Sequence, residues 1–224
     1  MDLKNKIACF LGDSITEGVG VTDVANNRYD NVLKQMYQLK EVFNYGIGGT
    51  RFAHQSVPSE KPRHDLCFCG RLFDLNPAAD IIVVYGGIND YIHGDAYIGS
   101  MEDTTPATFC GAVDFLMRTS RELYPNATVV FMTPAHCYYK EVRDTQVSNR
   151  AMKKPDAMPV AGYISIIEEK ARKYQIPVLN LYNELGIDPN IPEDKEKYTV
   201  DGLHFNDAGH RIIATRLGDF LSKL

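Results

Sequence analysis

Five short runs of apolar, β-branched or aromatic residues most constrain what this chain can fold into. Strands with one wet face alternate apolar and polar residues, whereas strands buried on both faces of a parallel sheet are apolar almost throughout. These runs show little alternation, which is typical of a buried parallel sheet. The predicted strands span residues 6–11, 41–45, 80–85, 128–133 and 176–181.

Helical patterns fall between the strands and have apolar residues three and four positions apart. The predicted helices span residues 29–39, 107–124, 159–174 and 208–221. Thr105 and Pro106 are placed as cap and first residue of the second helix, and Asn206 or Asp207 as cap of the last. The alternation predicts a three-layer α/β/α sandwich around a parallel sheet of about five strands. No linker divides the chain, so residues 1–224 are expected to form one domain.

Composition excludes several functional classes. The chain has 224 residues, 44% of them hydrophobic and 24% charged, with a net charge of −5 and both signs interleaved. Neither a nucleic-acid surface nor a membrane-binding segment is expected. The apolar run near the N-terminus is too short for a signal peptide, so a cytoplasmic location is expected. The five irregularly spaced cysteines indicate no disulfide framework, and no cofactor or metal is expected. A homo-oligomer remains open.

Four polar or glycine-rich clusters lie at or beyond predicted strand ends. In parallel sheets, ligands bind beyond the carboxyl ends of the strands, so these clusters should converge at one edge. They span residues 12–18, 44–50, 86–90 and 201–204.

The clusters contain the residue types of an acyl-transfer site. Ser14 can act as nucleophile only with an adjacent base, and His204 can take its proton. Asp201, three residues before His204, can hold the imidazole in the required tautomer. The backbone N–H groups of Ser14 and Gly49 and the side-chain amide of Asn89 can stabilise an oxyanion.

These clusters resemble the sequence blocks of the SGNH (GDSL-type) hydrolases. Gly12-Asp13-Ser14 resembles the nucleophile block, Asn44 to Gly49 the glycine block, Gly87 to Asp90 the G-x-N-D block and Asp201 to His204 the D-x-x-H block. The resemblance implies a flavodoxin-like fold and a Ser14–His204–Asp201 triad, with Gly49 and Asn89 completing the oxyanion hole. The glycine block offers three glycines, at 46, 48 and 49. Phe205 stands where many relatives have proline.

Further residues near the clusters are candidates for substrate binding. They are Asp13, Asp90, His93 and Tyr138. Asp13 has a second possible role, in which it accepts backbone N–H groups in the turn that presents Ser14. His210 lies on the last predicted helix and is expected to be a structural hydrogen-bonding residue. Residues 134–158 form a long polar stretch that is typical of a binding loop or lid.

The function expected from these features is that of a serine esterase acting on short-chain acyl esters. The resemblance implies acetyl esters of carbohydrates as the substrate and partner, and the lack of a long apolar stripe in residues 134–158 favours a short acyl group. A lysophospholipase or thioesterase is the alternative within hydrolases, and it requires an apolar groove. A non-catalytic carbohydrate-binding protein and an acyltransferase remain open as well.

Overall fold

A five-stranded parallel sheet forms the centre of the computed structural model, which describes residues 1–140, 142–146 and 156–224. The strands of the sheet are β1 (Ile7–Gly12), β2 (Glu41–Gly46), β3 (Ile81–Tyr85), β4 (Thr128–Met132) and β7 (Val178–Leu179). Their order is β2-β1-β3-β4-β7, and every neighbouring pair is parallel. This confirms the predicted α/β architecture.

Helices connect the strands, as parallel crossovers require. The helices are α1 (Ser14–Glu17), α2 (Val24–Asn27), α3 (Tyr29–Tyr37), α4 (Phe68–Arg71), α5 (Ile88–His93), α6 (Phe109–Leu123), α7 (Val160–Tyr174), α8 (Leu181–Glu184), α9 (Pro192–Tyr198) and α10 (Asp207–Ser222). Two 3₁₀ turns, Pro62–Asp65 and Leu72–Asp74, lie on either side of α4.

Each face of the sheet has its own hydrophobic core. Along β1, Cys9 and Leu11 pack with residues of α6 and α7, while Ala8 and Phe10 pack on the other face with residues of α3 and α10. Since successive side chains of a strand point to opposite faces, a strand that is apolar throughout supplies both cores. The layers therefore follow directly from the unbroken apolar runs.

The register brings the carboxyl ends of β2, β1 and β3 level with one another. Gly12 at the end of β1 pairs with Gly46 of β2 on one side and with Tyr85 of β3 on the other. The segments that follow these strands therefore begin side by side, and they carry Ser14 and Asn89.

The buried side chain of Arg71 ties these strand ends together. Its guanidinium donates hydrogen bonds to the carbonyl oxygens of Gly12 (3.2 Å) and Tyr45 and to Thr50 Oγ1 (2.8 Å). A third carbonyl, that of Leu66, accepts from Nε at 2.9 Å. Burial lowers the pKa of Arg71 to about 10, so the group remains a cation at neutral pH.

The start of α6 and both ends of the last strand are among the predicted element boundaries that are wrong. Helix α6 begins at Phe109 and not at residue 107, because the hydroxyl of Thr108 accepts the Gly111 N–H and caps the helix. Thr105 and Pro106 precede it in a turn, where the Pro106 carbonyl accepts the His54 N–H. The last strand, β7, has only two residues, because Pro177 has no N–H to donate and Leu181 already starts α8. For the last helix, Asn206 is the cap.

The stretch 134–158 is not a loop throughout. Strands β5 (Tyr138–Tyr139) and β6 (Val142–Arg143) pair antiparallel within it. Residues 141 and 147–155 lie outside the described residues, and the prediction of a lid falls partly on them. Among the described residues, no helix is both long and apolar enough to cross a membrane.

The last helix is joined to α3 through the buried imidazole of His210. Its Nδ1 accepts the Tyr29 N–H at 3.2 Å, and its ring stacks on that of Tyr29. This agrees with the structural role expected for His210. Burial lowers the pKa of the imidazole to about 4, so the folded protein holds it neutral.

We expect His210 to make stability fall as the pH falls below about 6.5. In the unfolded chain, histidine binds a proton near pH 6.5, whereas folded His210 does so near pH 4, so protons favour the unfolded state between these values. In His210→Asn the amide oxygen can still accept the Tyr29 N–H, but the titration is lost. In urea unfolding, the free energy of unfolding of wild type should exceed that of His210→Asn by roughly 1–2 kcal/mol less at pH 5 than at pH 7.

The exposed Ser165, which has no titrating side chain, provides the control. Ser165→Ala should leave the pH dependence of unfolding unchanged. If the gap between wild type and His210→Asn stayed constant with pH, this explanation would be wrong.

Candidate active site

Ser14 is presented by a sharp transition from strand to helix. β1 ends at Gly12, and the Asp13 carboxylate caps α1 by accepting the Ile15 N–H at 3.0 Å. Helix α1 then ends at Gly18, whose φ of +100° is left-handed. Ser14 is therefore the first residue of a short helix at the sheet edge, and it is 8% exposed.

The loop between α9 and α10 brings an imidazole to the serine. His204 Nε2 lies 2.9 Å from Ser14 Oγ, and His204 Nδ1 lies 2.7 Å from Asp201 Oδ2. Since a carboxylate only accepts, Nδ1 carries the proton and Nε2 offers its lone pair to the Ser14 hydroxyl. Serine, histidine and aspartate thus form one directed hydrogen-bond chain.

Asp201 is held in place by its own turn. Its Oδ1 accepts the backbone N–H groups of Leu203 (2.9 Å) and His204 (2.8 Å), while Oδ2 faces the imidazole. Burial alone would raise the pKa of this carboxyl, but the hydrogen bonds from the His204 ring and the two N–H groups outweigh it and lower the pKa. Asp201 is therefore a carboxylate at neutral pH. Phe205 is buried beyond it.

The loop after β2 distinguishes among the three glycines. The Gly46 N–H donates to Asn44 Oδ1 at 2.9 Å, and the Gly48 N–H donates to Glu17 Oε2 at 2.7 Å. Within the described ranges, the N–H groups of Gly49 and Ser14 have no acceptor. Gly49 has a φ of +78° and lines the same cavity as Ser14. Gly49 is thus the glycine whose N–H is available to an oxyanion.

Asn89 lies one residue into α5, after the turn at Gly86 and Gly87 that follows β3. Its Nδ2 donates one hydrogen bond to the Thr50 carbonyl at 3.0 Å, which leaves its second N–H for another acceptor. Asn89 is 5% exposed and lines the cavity with Ser14 and Gly49.

A cavity of about 650 Å³ opens in front of Ser14. Among the described residues, the side chains that line it are mostly basic or apolar. The lining residues are Ser14, Val19, Gly49, Lys61, His64, Asn89, Ile92, His93, Tyr139, Lys140, Val142, Leu203 and His204. A more polar groove of about 750 Å³ shares Lys61, His64 and His93 with it and continues past Arg51, Ser59, Glu60 and Asp95. An extended substrate can therefore occupy both.

Two carboxylates predicted to bind substrate do not reach the cavity. Asp13 is 1% exposed and engaged as the cap of α1, and burial raises its pKa to about 6. Asp90 is 3% exposed and accepts the N–H groups of Phe52 (2.9 Å) and Ala53 (3.1 Å). Both predictions are wrong, because each carboxylate is turned inward to backbone donors. Asp13 has the second role considered for it, in the turn that presents Ser14.

Of the two adjacent tyrosines in β5, Tyr139 lines the cavity and not the predicted Tyr138. Neighbouring residues of a strand face opposite sides, so only one of them can point at the site. The ring of Tyr138 instead lies against the ammonium group of Lys195 (4.5 Å) and the guanidinium of Arg143 (5.3 Å). His93 does line the cavity, and its contact with substrate stays a prediction.

Sequence reasoning missed Lys61, His64 and Lys140. The ring of His64 packs on the backbone of Gly49, so closely that a Cβ at that glycine would lie 2.6 Å from it. Burial, together with the charges of Lys61, Arg51 and Arg63, lowers the pKa of His64. Beyond the glycine block, the connection between β2 and β3 carries no motif, and only the folded path of the chain brings Lys61 and His64 to the site.

The arrangement can perform acyl transfer. A carbonyl carbon near Ser14 Oγ would have the attacking hydroxyl, its base and unpaired N–H donors around it. Among the described residues, no cluster of three or more histidine, cysteine, aspartate or glutamate side chains could hold a metal ion.

Comparisons with known proteins bear on the family and the fold. The model of the GDSL-like lipase/acylhydrolase family matches residues 10–212. A solved structure of a protein from Lactobacillus plantarum is 29% identical, with 98% of each chain covered and a TM-score of 0.80. No curated protein matches the sequence.

Two further structures share the fold at lower identity. An acetyl xylan esterase is 21% identical, with 95% of this chain and 98% of the other covered and a TM-score of 0.62. A carbohydrate acetylesterase family member from Sinorhizobium meliloti is 16% identical, with 97% and 98% covered and a TM-score of 0.63.

We expect Asp201→Asn to inactivate Ser14 without unfolding the protein. The two backbone N–H groups would hold the amide oxygen, so the amide NH₂ would face His204 Nδ1 and force the wrong tautomer. The rate at which a fluorophosphonate labels Ser14 should fall by up to about 10⁴-fold, with little change in melting temperature.

Asp23→Asn is the matched control. Asp23 caps α2 by accepting N–H groups, as asparagine also can, and it lies outside the cavity lining. The fluorophosphonate should label Ser14 of the Asp23→Asn variant at the wild-type rate. Near-normal labelling of Asp201→Asn would rule out the role given to Asp201.

Proposed function

The chain belongs to the GDSL-like lipase/acylhydrolase family, and on this premise we propose that it is a serine esterase that removes short acyl groups, chiefly acetyl groups, from carbohydrates. One observation carries the proposal. The hydrogen-bond chain from Asp201 through His204 to Ser14, of 2.7 and 2.9 Å, opens directly into the cavity. Family membership supports carboxylic ester hydrolysis, and the cavity supports the substrate class.

In the proposed acylation, Ser14 Oγ attacks the ester carbonyl while His204 Nε2 takes the hydroxyl proton. The carbonyl oxygen becomes an oxyanion, which the N–H groups of Ser14 and Gly49 and the amide of Asn89 stabilise. The intermediate collapses to acyl-Ser14, and the departing alcohol takes the proton from His204. Asp201 stabilises the imidazolium in between.

Deacylation repeats these steps with water as the nucleophile. His204 takes a proton from water, and the resulting hydroxide attacks the acyl carbonyl. The same donors stabilise the second oxyanion. Collapse then breaks the bond to Ser14 Oγ, which recovers its proton from His204, and the carboxylic acid leaves.

The lining of the site supports a short acyl group and a polar leaving group. Apolar contacts near Ser14 are confined to a few side chains, such as Val19, Ile92 and Leu203. The adjoining groove is lined mainly by polar side chains. A sugar would find hydrogen-bond partners there, whereas a long alkyl chain would find no continuous apolar trough among the described residues. The two carbohydrate-active esterases that share the fold support the same class.

We expect activity on p-nitrophenyl esters to be greatest for acetate or butyrate and to fall steeply toward dodecanoate. Ser14→Ala should abolish turnover, and the unfolding transition of this variant should match that of wild type. Ser165→Ala, which removes an exposed hydroxyl on α7, should leave turnover unchanged. Release of acetate from peracetylated xylose then tests the carbohydrate assignment.

Other outcomes would point elsewhere. A maximum at long chains would replace the proposal with a lipid or thioester hydrolase. Formation of an acylated sugar when an acceptor alcohol is added, with little free acid, would indicate an acyltransferase. A folded protein with no activity on any ester would favour a binding protein.

A further inference from the structure

Asn89 stands at the end of a second hydrogen-bond chain, which begins at Arg51. Arg51 Nη1 lies 3.0 Å from His93 Nδ1, and His93 Nε2 lies 3.0 Å from Asn89 Oδ1. Asn89 and His93 are four residues apart on α5, so their side chains share one face of the helix. The chain therefore ends at the cavity that Ser14 and His204 also line.

The polarity of this chain is fixed at both ends. The Thr50 carbonyl can only accept, so the NH₂ of Asn89 must face it and Oδ1 must face His93. The Arg51 guanidinium can only donate, so His93 Nδ1 must accept. His93 is then neutral with its proton on Nε2, from which it donates to Asn89 Oδ1. Every group in the series has one possible orientation.

Arg51 is a rigid anchor for the chain. It is 5% exposed, and its Nη2 donates to Ser59 Oγ at 2.8 Å and to the His64 carbonyl at 3.2 Å. Its own carbonyl accepts the Phe68 N–H, and Asp65 lies 3.4 Å from the guanidinium. Such a tethered side chain holds the position of His93 in turn.

We propose that His93 is a positioning residue that, backed by Arg51, orients and polarises the amide of Asn89 as an oxyanion donor. The inference rests on the proposed function, in which Asn89 binds the oxyanion. Without the His93 N–H, the Thr50 carbonyl alone would hold the amide, and its second N–H would be directed less firmly toward the oxyanion. Donation to Oδ1 also makes the N–H groups of Asn89 stronger donors, since linked hydrogen bonds polarise one another.

A double-mutant cycle separates this role from a merely structural one. His93→Leu should lower kcat on p-nitrophenyl acetate by about ten-fold, a part of the roughly 10²–10³-fold lost when an oxyanion donor is removed. KM should stay the same. In an Asn89→Ala background the same substitution should cost less than about two-fold, because its target is gone. Additive losses in the two backgrounds would overturn the proposal.

His93→Gln keeps the test decisive if the leucine variant unfolds. A glutamine amide can accept from Arg51 and donate to Asn89, so kcat should recover to within a few-fold of wild type. His54→Leu, which removes an exposed histidine, should leave kcat unchanged. A folded glutamine variant as slow as Asn89→Ala would contradict the proposal.

The tautomer of His93 can be read without any substrate. In ¹⁵N-labelled wild type at neutral pH, NMR should show a protonated Nε2 and an unprotonated Nδ1, the signal being assigned by its loss in His93→Gln. The opposite tautomer would overturn the proposal and leave the esterase function standing. A wild type that shows the expected tautomer and hydrolyses no ester would overturn the proposed function, and with it the catalytic role of His93.

Discussion

A single buried cation holds together the sheet edge on which the site is built. Arg71 donates hydrogen bonds to the carbonyl oxygens of Gly12 and Tyr45, near the ends of β1 and β2, and to the hydroxyl of Thr50 in the glycine loop. Carbonyl oxygens at a buried strand end are costly unless donors reach them. The guanidinium supplies several donors in one rigid plane, so it satisfies these carbonyls and fixes the spacing between neighbouring segments. Ser14 and Gly49 follow the two strands held in this way, and Asn89 is tied to the same loop through the Thr50 carbonyl.

The parts of the site that could be predicted from sequence are those set by local rules. Ser14 and Asn89 follow strand ends, and parallel strands bring their carboxyl ends to one edge. Asp201 and His204 share a turn, so their proximity follows from a spacing of three residues. The same reasoning gave the order of layers, because strands apolar on both faces must be covered twice.

What the sequence could not show depends on contacts between distant segments. Lys61 and His64 reach the cavity only through the folded path of the connection between β2 and β3. The choice of Tyr139 over Tyr138 depends on which side of a two-residue strand faces the cavity. Asp13 and Asp90 resembled substrate-binding carboxylates, yet backbone N–H groups without other partners turn them inward. Thr108 displaced Thr105 as a cap for a similar local reason.

In the proposed triad, the base His204 and its carboxylate Asp201 are neighbours on the chain, but the nucleophile Ser14 lies 190 residues away from the base. Until both segments are in place, Ser14 is an ordinary alcohol with no acceptor for its proton. The Ser14 hydroxyl therefore becomes reactive only when the fold is complete. A nascent or misfolded copy cannot trap acyl groups on itself, and the reactivity of one hydroxyl reports whether the whole chain has folded.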